Sequence, residues 1–333
     1  MKFFINIKHL SILTITDEDE LIKKLASEFH FFTSLDEQYP QFEIQLLKES
    51  PPKIPELVAK KILPHALIYY HQGKRYVDYQ GKALIVEEGR SFSIYSLDSE
   101  FLFELAFLTI HSLLGDLLQE VGLYRIHALA GTYNKKDFII MLPSGGGKST
   151  MLTSLIEDPE FQIISDDSPL IDSEGRIHPF PTKISLSEIP QTGKLKDLPW
   201  HNFTRALHPP KFVLSLSHFR NQINDNPQDS RPLLILGQRS TFSTPRVLKM
   251  NRLSTIKSLL ENMVIGVGLP QIIEIFLKFK FIPDFYKMTY AFIKRSSAAY
   301  RLFQRSEHYE IILSQNIKAN CQQIKDLIDE TYY

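Results

Sequence analysis

A single cysteine, Cys321, stands in 333 residues. That excludes an internal disulfide and a cysteine-rich zinc site, and it fits a reducing compartment. Net charge is also missing: 38 Lys+Arg face 38 Asp+Glu. A nucleic-acid partner, held largely by lysine and arginine on phosphates, is therefore not expected. Long apolar runs are lacking as well. The most apolar stretches, 101–114 and 263–277, are interrupted by Glu104 and His111 in the first and by Pro270, Gln271 and Glu274 in the second. Both fall short of the roughly 18 uninterrupted apolar residues of a membrane span and predict amphipathic or buried helices. At the N-terminus, Lys8 and His9 break the apolar run and no small-residue cleavage site follows, so the alternation predicts a strand and not an export signal. The expected location is cytoplasmic. Glycine is scarce too, at 14 residues with none before Gly73, yet Gly145, Gly146 and Gly147 stand side by side.

What is present is an ordinary globular balance, with 43% hydrophobic and 23% charged residues. At about 150 residues per domain, the length predicts two domains. We assign 1–100 to an α+β N-terminal domain and 101–333 to an α/β domain with a helical C-terminal part. Gln72-Gly73 and Gln80-Gly81 separate aromatic and β-branched runs and predict hairpin turns. From Leu97 to Leu123 leucines recur at helical spacing, and the domain junction is placed within or near this helix. Strands are expected over 125–133, 138–142, 162–165, 168–172 and 177–180, then in Lys211–Ser217 and Arg231–Gly237. Helices are expected through most of 252–304, followed by a short strand near 309–313 and a closing amphipathic helix.

The order strand, glycine-rich turn, Lys-Ser, helix is the arrangement that binds nucleotide phosphates. Gly145, Gly146 and Gly147 can adopt backbone angles closed to other residues, which lets successive N–H groups face an anion. A helix beginning near Lys148 adds the positive end of its dipole. Ser144, Gly145, Gly146, Gly147, Lys148, Ser149 and Thr150 form the binding segment. Within it Lys148 can reach the outer phosphates, and the Ser149 hydroxyl can ligate Mg²⁺. Leu142 stands where the usual pattern has its first glycine, and Pro143 follows it. Farther on, Asp166 and Asp167 close an apolar strand. One carboxylate there can hold Mg²⁺, and the second can accept a proton from an attacking hydroxyl. A turn or cap is the alternative reading of the aspartate pair. His127, in the strand before the loop, reads from residue type alone as a packed or solvent-facing strand residue.

Taken in order, His127, the Pro-Ser-Gly-Gly-Gly-Lys-Ser-Thr of 143–150, and Ser165-Asp166-Asp167 resemble the catalytic domain of the HPr kinase/phosphorylase family. The similarity is closer to the HPr kinase-like proteins of bacterial peptide-modification clusters. In that group the paired aspartates are followed by a glycine turn and a Pro-Phe-Pro segment, here Gly175 and 179–181. The resemblance covers about 120–187. It implies a P-loop kinase core of the HPr kinase/phosphoenolpyruvate carboxykinase type. It also implies phosphoryl transfer from ATP with Mg²⁺ to a hydroxyl, typically a serine of a protein or peptide. Carried over, Lys148 would hold the β- and γ-phosphates, Ser149 and Asp167 the metal, and Asp166 would be the base. His127 would lie beside the transferred group. Ala128 stands where the HPr kinases themselves have glycine, and no segment matches their HPr-docking region. HPr itself is therefore not implied as substrate.

Arg239 after its predicted strand reads either as a surface residue or as a contact to the phosphates or the base. His178 and Lys183 flank the Pro-Phe-Pro turn and can face the site or the surface. The polar loop 188–209 can close over an acceptor or be an ordinary surface loop. The aromatic C-terminal residues Phe276, Phe279, Phe281, Phe285 and Tyr286 predict core or an interface, which leaves room for a homo-oligomer. Two other functions fit the same motifs: a module that binds ATP without turnover, which Leu142 favours, and a small-molecule kinase.

Overall fold

The computed structural model describes residues 1–7, 9–34, 39–143, 145–203, 210–227, 231–266 and 285–332. The chain is mixed α/β and divides into two compact units, Met1–Leu117 with Asn202–Lys211, and Leu118–His201 with Phe212–Tyr333.

The first unit is built on a nine-stranded sheet. Its strands are β1 (Lys2–Ile7), β2 (Leu10–Thr16), β3 (Thr33–Ser34), β4 (Phe42–Leu47), β5 (Lys61–Ile62), β6 (Leu67–His71), β7 (Lys74–Asp78), β8 (Ala83–Glu88) and β9 (Ser91–Ser96). They lie in the order β3-β1-β2-β4-β9-β8-β7-β6-β5. The predicted turns hold: Gln72 and Gly73 (φ 46° and 79°) join β6 to β7, and Gln80 and Gly81 (φ 56° and 75°) precede β8. Paired positive φ values match the right-handed twist of the flanking strands. Helix α1 (Asp19–Glu28) buries Leu21 and Leu25, and Ile5, Ile12, Ile44 and Ile94 are fully buried in the same unit. Helix α2 (Ser99–Glu120) starts where the Asp98 carboxylate accepts from the backbone N–H groups of Glu100 and Phe101, at 2.9 and 3.2 Å. Among the described residues it is the one helix long and apolar enough to cross a membrane by composition, and 83% of its apolar window is buried within the protein. That burial fits a core helix, which is apolar on every side for the same reason.

The second unit contains β10 (Leu123–Arg125), β11 (Leu129–Tyr133), β12 (Lys136–Met141), α3 (Lys148–Leu155), β13 (Phe161–Ser165), β14 (Leu170–Asp172), β15 (Ile177–His178) and β16 (Lys183–Leu186). After β17 (His201–Phe203) come β18 (Lys211–Ser215), β19 (Leu233–Arg239), β20 (Arg246–Lys249) and α4 (Arg252–Leu259). Helix α5 (Phe285–Arg305), β21 (Glu307–Leu313) and α6 (Ile317–Tyr332) close the chain. The six-stranded sheet runs β13-β11-β12-β19-β21-β20, with β12, β19 and β21 parallel. Phe138, Ile139, Ile140 and Met141 are all buried. A continuous apolar run of this kind marks a strand covered on both faces, as parallel strands are. Of the aromatic residues singled out above, Phe276, Phe279 and Phe281 lie outside the described residues, and Phe285 and Tyr286 begin α5.

The predicted strand 125–133 is two strands in different sheets. β10 pairs with β14, whereas β11 pairs with β12 and β13. Between them the backbone N–H groups of Ile126, His127 and Ala128 donate to the carbonyls of Pro169, Asn262 and Asp167, at 3.1, 2.9 and 3.0 Å. The crossing keeps each buried N–H paired while the chain changes sheets. It leaves His127 at a bend beside the aspartate pair.

Candidate functional site

The glycine-rich loop leaves the C-terminal end of β12 and enters α3. Each glycine answers a separate steric demand. Gly145 and Gly147 have φ of 72° and 99°, in the left-handed region that side chains disfavour. Gly146 donates its N–H to the Pro143 carbonyl at 2.8 Å, and a Cβ there would stand 2.6 Å from that oxygen. Gly147 caps α3, accepting from the Met151 N–H at 2.8 Å. Leu142, which replaces the usual first glycine, is buried at 1% exposure. Its side chain fills the space left by Gly237 in β19, where a Cβ would meet Leu142 Cδ2 at 2.4 Å. The leucine is thus accommodated within the sheet by a glycine on the neighbouring strand. Ser144 lies outside the described residues.

Lys148, the first residue of α3, is only 7% exposed. Its ammonium donates to the Leu142 carbonyl at 3.0 Å and lies 2.9 Å from His127 Nε2. Two donors cannot share that contact, so Nε2 accepts and the ring proton sits on Nδ1. Nδ1 faces the Asp167 carboxylate at 3.3 Å, and Lys148 Nζ lies 3.9 Å from the same oxygen. His127, Lys148 and Asp167, far apart in sequence, therefore form one contact cluster. Asp167 is about half exposed, whereas its two partners are buried.

Asp166 has a different environment. It is 7% exposed, and its Oδ1 accepts from the Thr182 hydroxyl at 3.0 Å, with the Thr182 N–H at 3.4 Å. Burial, then the adjacent Asp167 charge, pushes its carboxyl up to about 7, against the Thr182 bond that favours the ionised form. The Pro-Phe-Pro segment positions this pair. The Phe180 N–H donates to the Ile164 carbonyl at 3.1 Å, the Ser165 hydroxyl donates to the Phe180 carbonyl at 2.8 Å, and Ser165 Oγ accepts the Ser168 N–H at 3.2 Å. The turn after β13 is thus stitched to a strap one hairpin further along the chain, and Thr182 at the end of the strap reaches Asp166.

The remaining residues divide. Ser149 is half-buried, and its hydroxyl makes no hydrogen bond among the described residues; Thr150 is exposed. Arg239 donates from Nη1 to the Gly145 carbonyl at 3.2 Å, which puts its guanidinium at the loop. His178 lies elsewhere: its Nε2 is 3.0 Å from Asp172, which also binds Arg176 and the N–H groups of Glu174 and Arg176. It belongs to a structural turn. Lys183 is buried in β16. Thr182 and the Leu142 carbonyl also take part, without a signal in the sequence. The first is an unremarkable threonine in a loop, and a backbone carbonyl has no signature in sequence.

The donor set is one of hard oxygens and a cation. No group of three or more His, Cys, Asp or Glu able to hold a metal occurs among the described residues. A magnesium ion takes one or two carboxylates and draws its other ligands from phosphates and water, and the half-exposed Asp167 carboxylate is of that donor type. No protein-family model matches the chain, and no curated protein matches it.

Proposed function

We propose that the chain is an ATP- and Mg²⁺-dependent kinase that phosphorylates a hydroxyl, most simply a serine of a protein or peptide, in the cytoplasm. The fold we propose is a P-loop kinase core of the HPr kinase/phosphoenolpyruvate carboxykinase type. The observation that carries this reading is the cluster at the start of α3. A buried Lys148 beneath three glycines touches His127 and lies beside Asp167. A buried ammonium at a helix N-terminus favours a multiply charged anion such as a phosphate chain.

In this reading Lys148 and the loop N–H groups bind the phosphates and hold the terminal one in line with the acceptor. Asp167 and Ser149 would hold magnesium, which neutralises charge on the phosphate oxygens. Asp166 takes the proton from the acceptor hydroxyl, for which a carboxyl near 7 is well matched at neutral pH. The bond from acceptor oxygen to the γ-phosphorus forms as the bond to the bridging oxygen breaks, and the electron pair leaves with ADP. His127 contacts Lys148 through Nε2 and stands beside Asp167.

The test is transfer of label from γ-labelled ATP with magnesium to a serine-containing peptide library. Lys148→Ala should lose nucleotide binding, while Asp166→Asn should retain binding and lose transfer by at least a hundredfold. Unchanged transfer in both folded variants refutes the proposal. A non-catalytic nucleotide module is favoured by the Thr182 bond that engages Asp166. It predicts binding without label transfer in the parent protein.

A further inference from the structure

A cavity of the same unit lies far from the glycine loop. It has a volume of about 510 Å³ and is formed where α5, β20 and β21 meet. β19 runs from this end, at Leu233 beside Glu307, to Arg239 at the loop. At about 3.3 Å per residue the two sites are roughly 20 Å apart.

Its lining combines unpaired cations with a run of stacked rings. Lys249 and Arg252 are exposed, and neither pairs with a carboxylate among the described residues. Arg231 lies 3.5 Å from Glu307, the one carboxylate of the lining, which also accepts from the Tyr309 hydroxyl at 3.2 Å. Phe303 stacks on both Tyr300 and His308, with centroids 6.3 and 4.5 Å apart and planes within 21° and 13°. Tyr300, the outer ring, is 56% exposed, and Gln304 fixes its hydroxyl at 2.9 Å. His308 is tied to the Phe303 carbonyl at 2.9 Å, so the inner end of the stack is held in place.

We infer that this cavity is a binding site for a small aromatic phosphate of nucleoside-monophosphate size, distinct from the glycine-loop site. Each part of such a ligand has a counterpart. A planar base continues the stack on Tyr300, as bases do on aromatic side chains in general. Lys249 and Arg252 supply two charges for one phosphate, with Arg suited to a bidentate contact. Glu307 offers an acceptor to an exocyclic amino group. The volume falls within the range of small-molecule pockets. A plain anion would leave the ring stack unused, and a neutral aromatic would leave the two cations unmatched.

Isothermal titration calorimetry with AMP, adenosine and inorganic phosphate, without magnesium and in the Lys148→Ala background, tests the site. AMP should bind, with adenosine and phosphate each at least tenfold weaker. The double variant Lys249→Glu, Arg252→Glu and the single variant Tyr300→Ala should each weaken AMP at least tenfold, and all three positions are exposed, so folding is not at risk. Absence of AMP binding overturns the proposal. So does AMP binding that survives the double variant, because the ligand then sits elsewhere. Phosphate binding equal to AMP and insensitive to Tyr300→Ala overturns it as well, leaving only a cationic patch. If the kinase reading fails instead, Lys148→Ala leaves ATP binding intact while these AMP results stand.

Discussion

Replacing Asp166 by asparagine should stabilise the protein, and by an amount that depends on pH. The carboxyl is buried beside Asp167 and titrates near 7, whereas in the unfolded chain it titrates near its ordinary 3.8. Between those values the native state holds a proton that the unfolded state has released. The slope of unfolding free energy with pH is then negative, and stability falls as pH rises from about 4 to about 7. A rise from 3.8 to about 7 corresponds to roughly 4 kcal/mol of stability lost across that window. Asparagine resembles the protonated acid, keeps an oxygen for the Thr182 hydroxyl and cannot ionise. The variant should therefore match the parent near pH 4 and exceed it by up to about 4 kcal/mol above pH 7. Urea unfolding of both proteins in steps from pH 4 to 8, with EDTA and no nucleotide, measures the difference directly. A difference that stays constant over this range would refute the claim that burial and Asp167 hold the carboxyl protonated.

The other predictions concern close approaches. Gly237→Ala should destabilise by about 1–3 kcal/mol, because the new Cβ meets Leu142 Cδ2 at 2.4 Å. Combining it with Leu142→Ala should recover part of that loss, and a double-mutant cycle in urea with no coupling energy would sink the Leu142–Gly237 account. Gly175→Ala should cost more, about 3 kcal/mol or above. Its φ is 79°, and a Cβ would stand 2.4 Å from the Leu302 backbone nitrogen, which cannot move aside. A melting temperature within a degree or two of the parent would count against that packing.

Local rules made much of the fold legible. Gln72-Gly73 and Gln80-Gly81 mark turns because glycine takes positive φ without steric cost, and all four residues take it. The apolar run of β12 and the glycine triplet after it likewise follow from chemistry that acts within a few residues. Over 125–133, alternation cannot show that consecutive segments hydrogen-bond to different sheets. The break at Ile126, His127 and Ala128 depends on acceptors at Pro169, Asn262 and Asp167. These partners are distant in sequence.

The same division runs through the site. Sequence alone located the loop, since three adjacent glycines before Lys-Ser meet a steric requirement that is local to the backbone. It also named His127, Asp166 and Asp167, but as members of a pattern with no stated contacts. Only the tertiary structure set the aspartates apart. Burial and the Thr182 hydroxyl define one, while His127 and Lys148 meet the other. Only the tertiary structure, too, found room for Leu142 against Gly237. Desolvation and side-chain contact depend on which surfaces the fold brings together, and adjacent residues of one type can receive opposite environments.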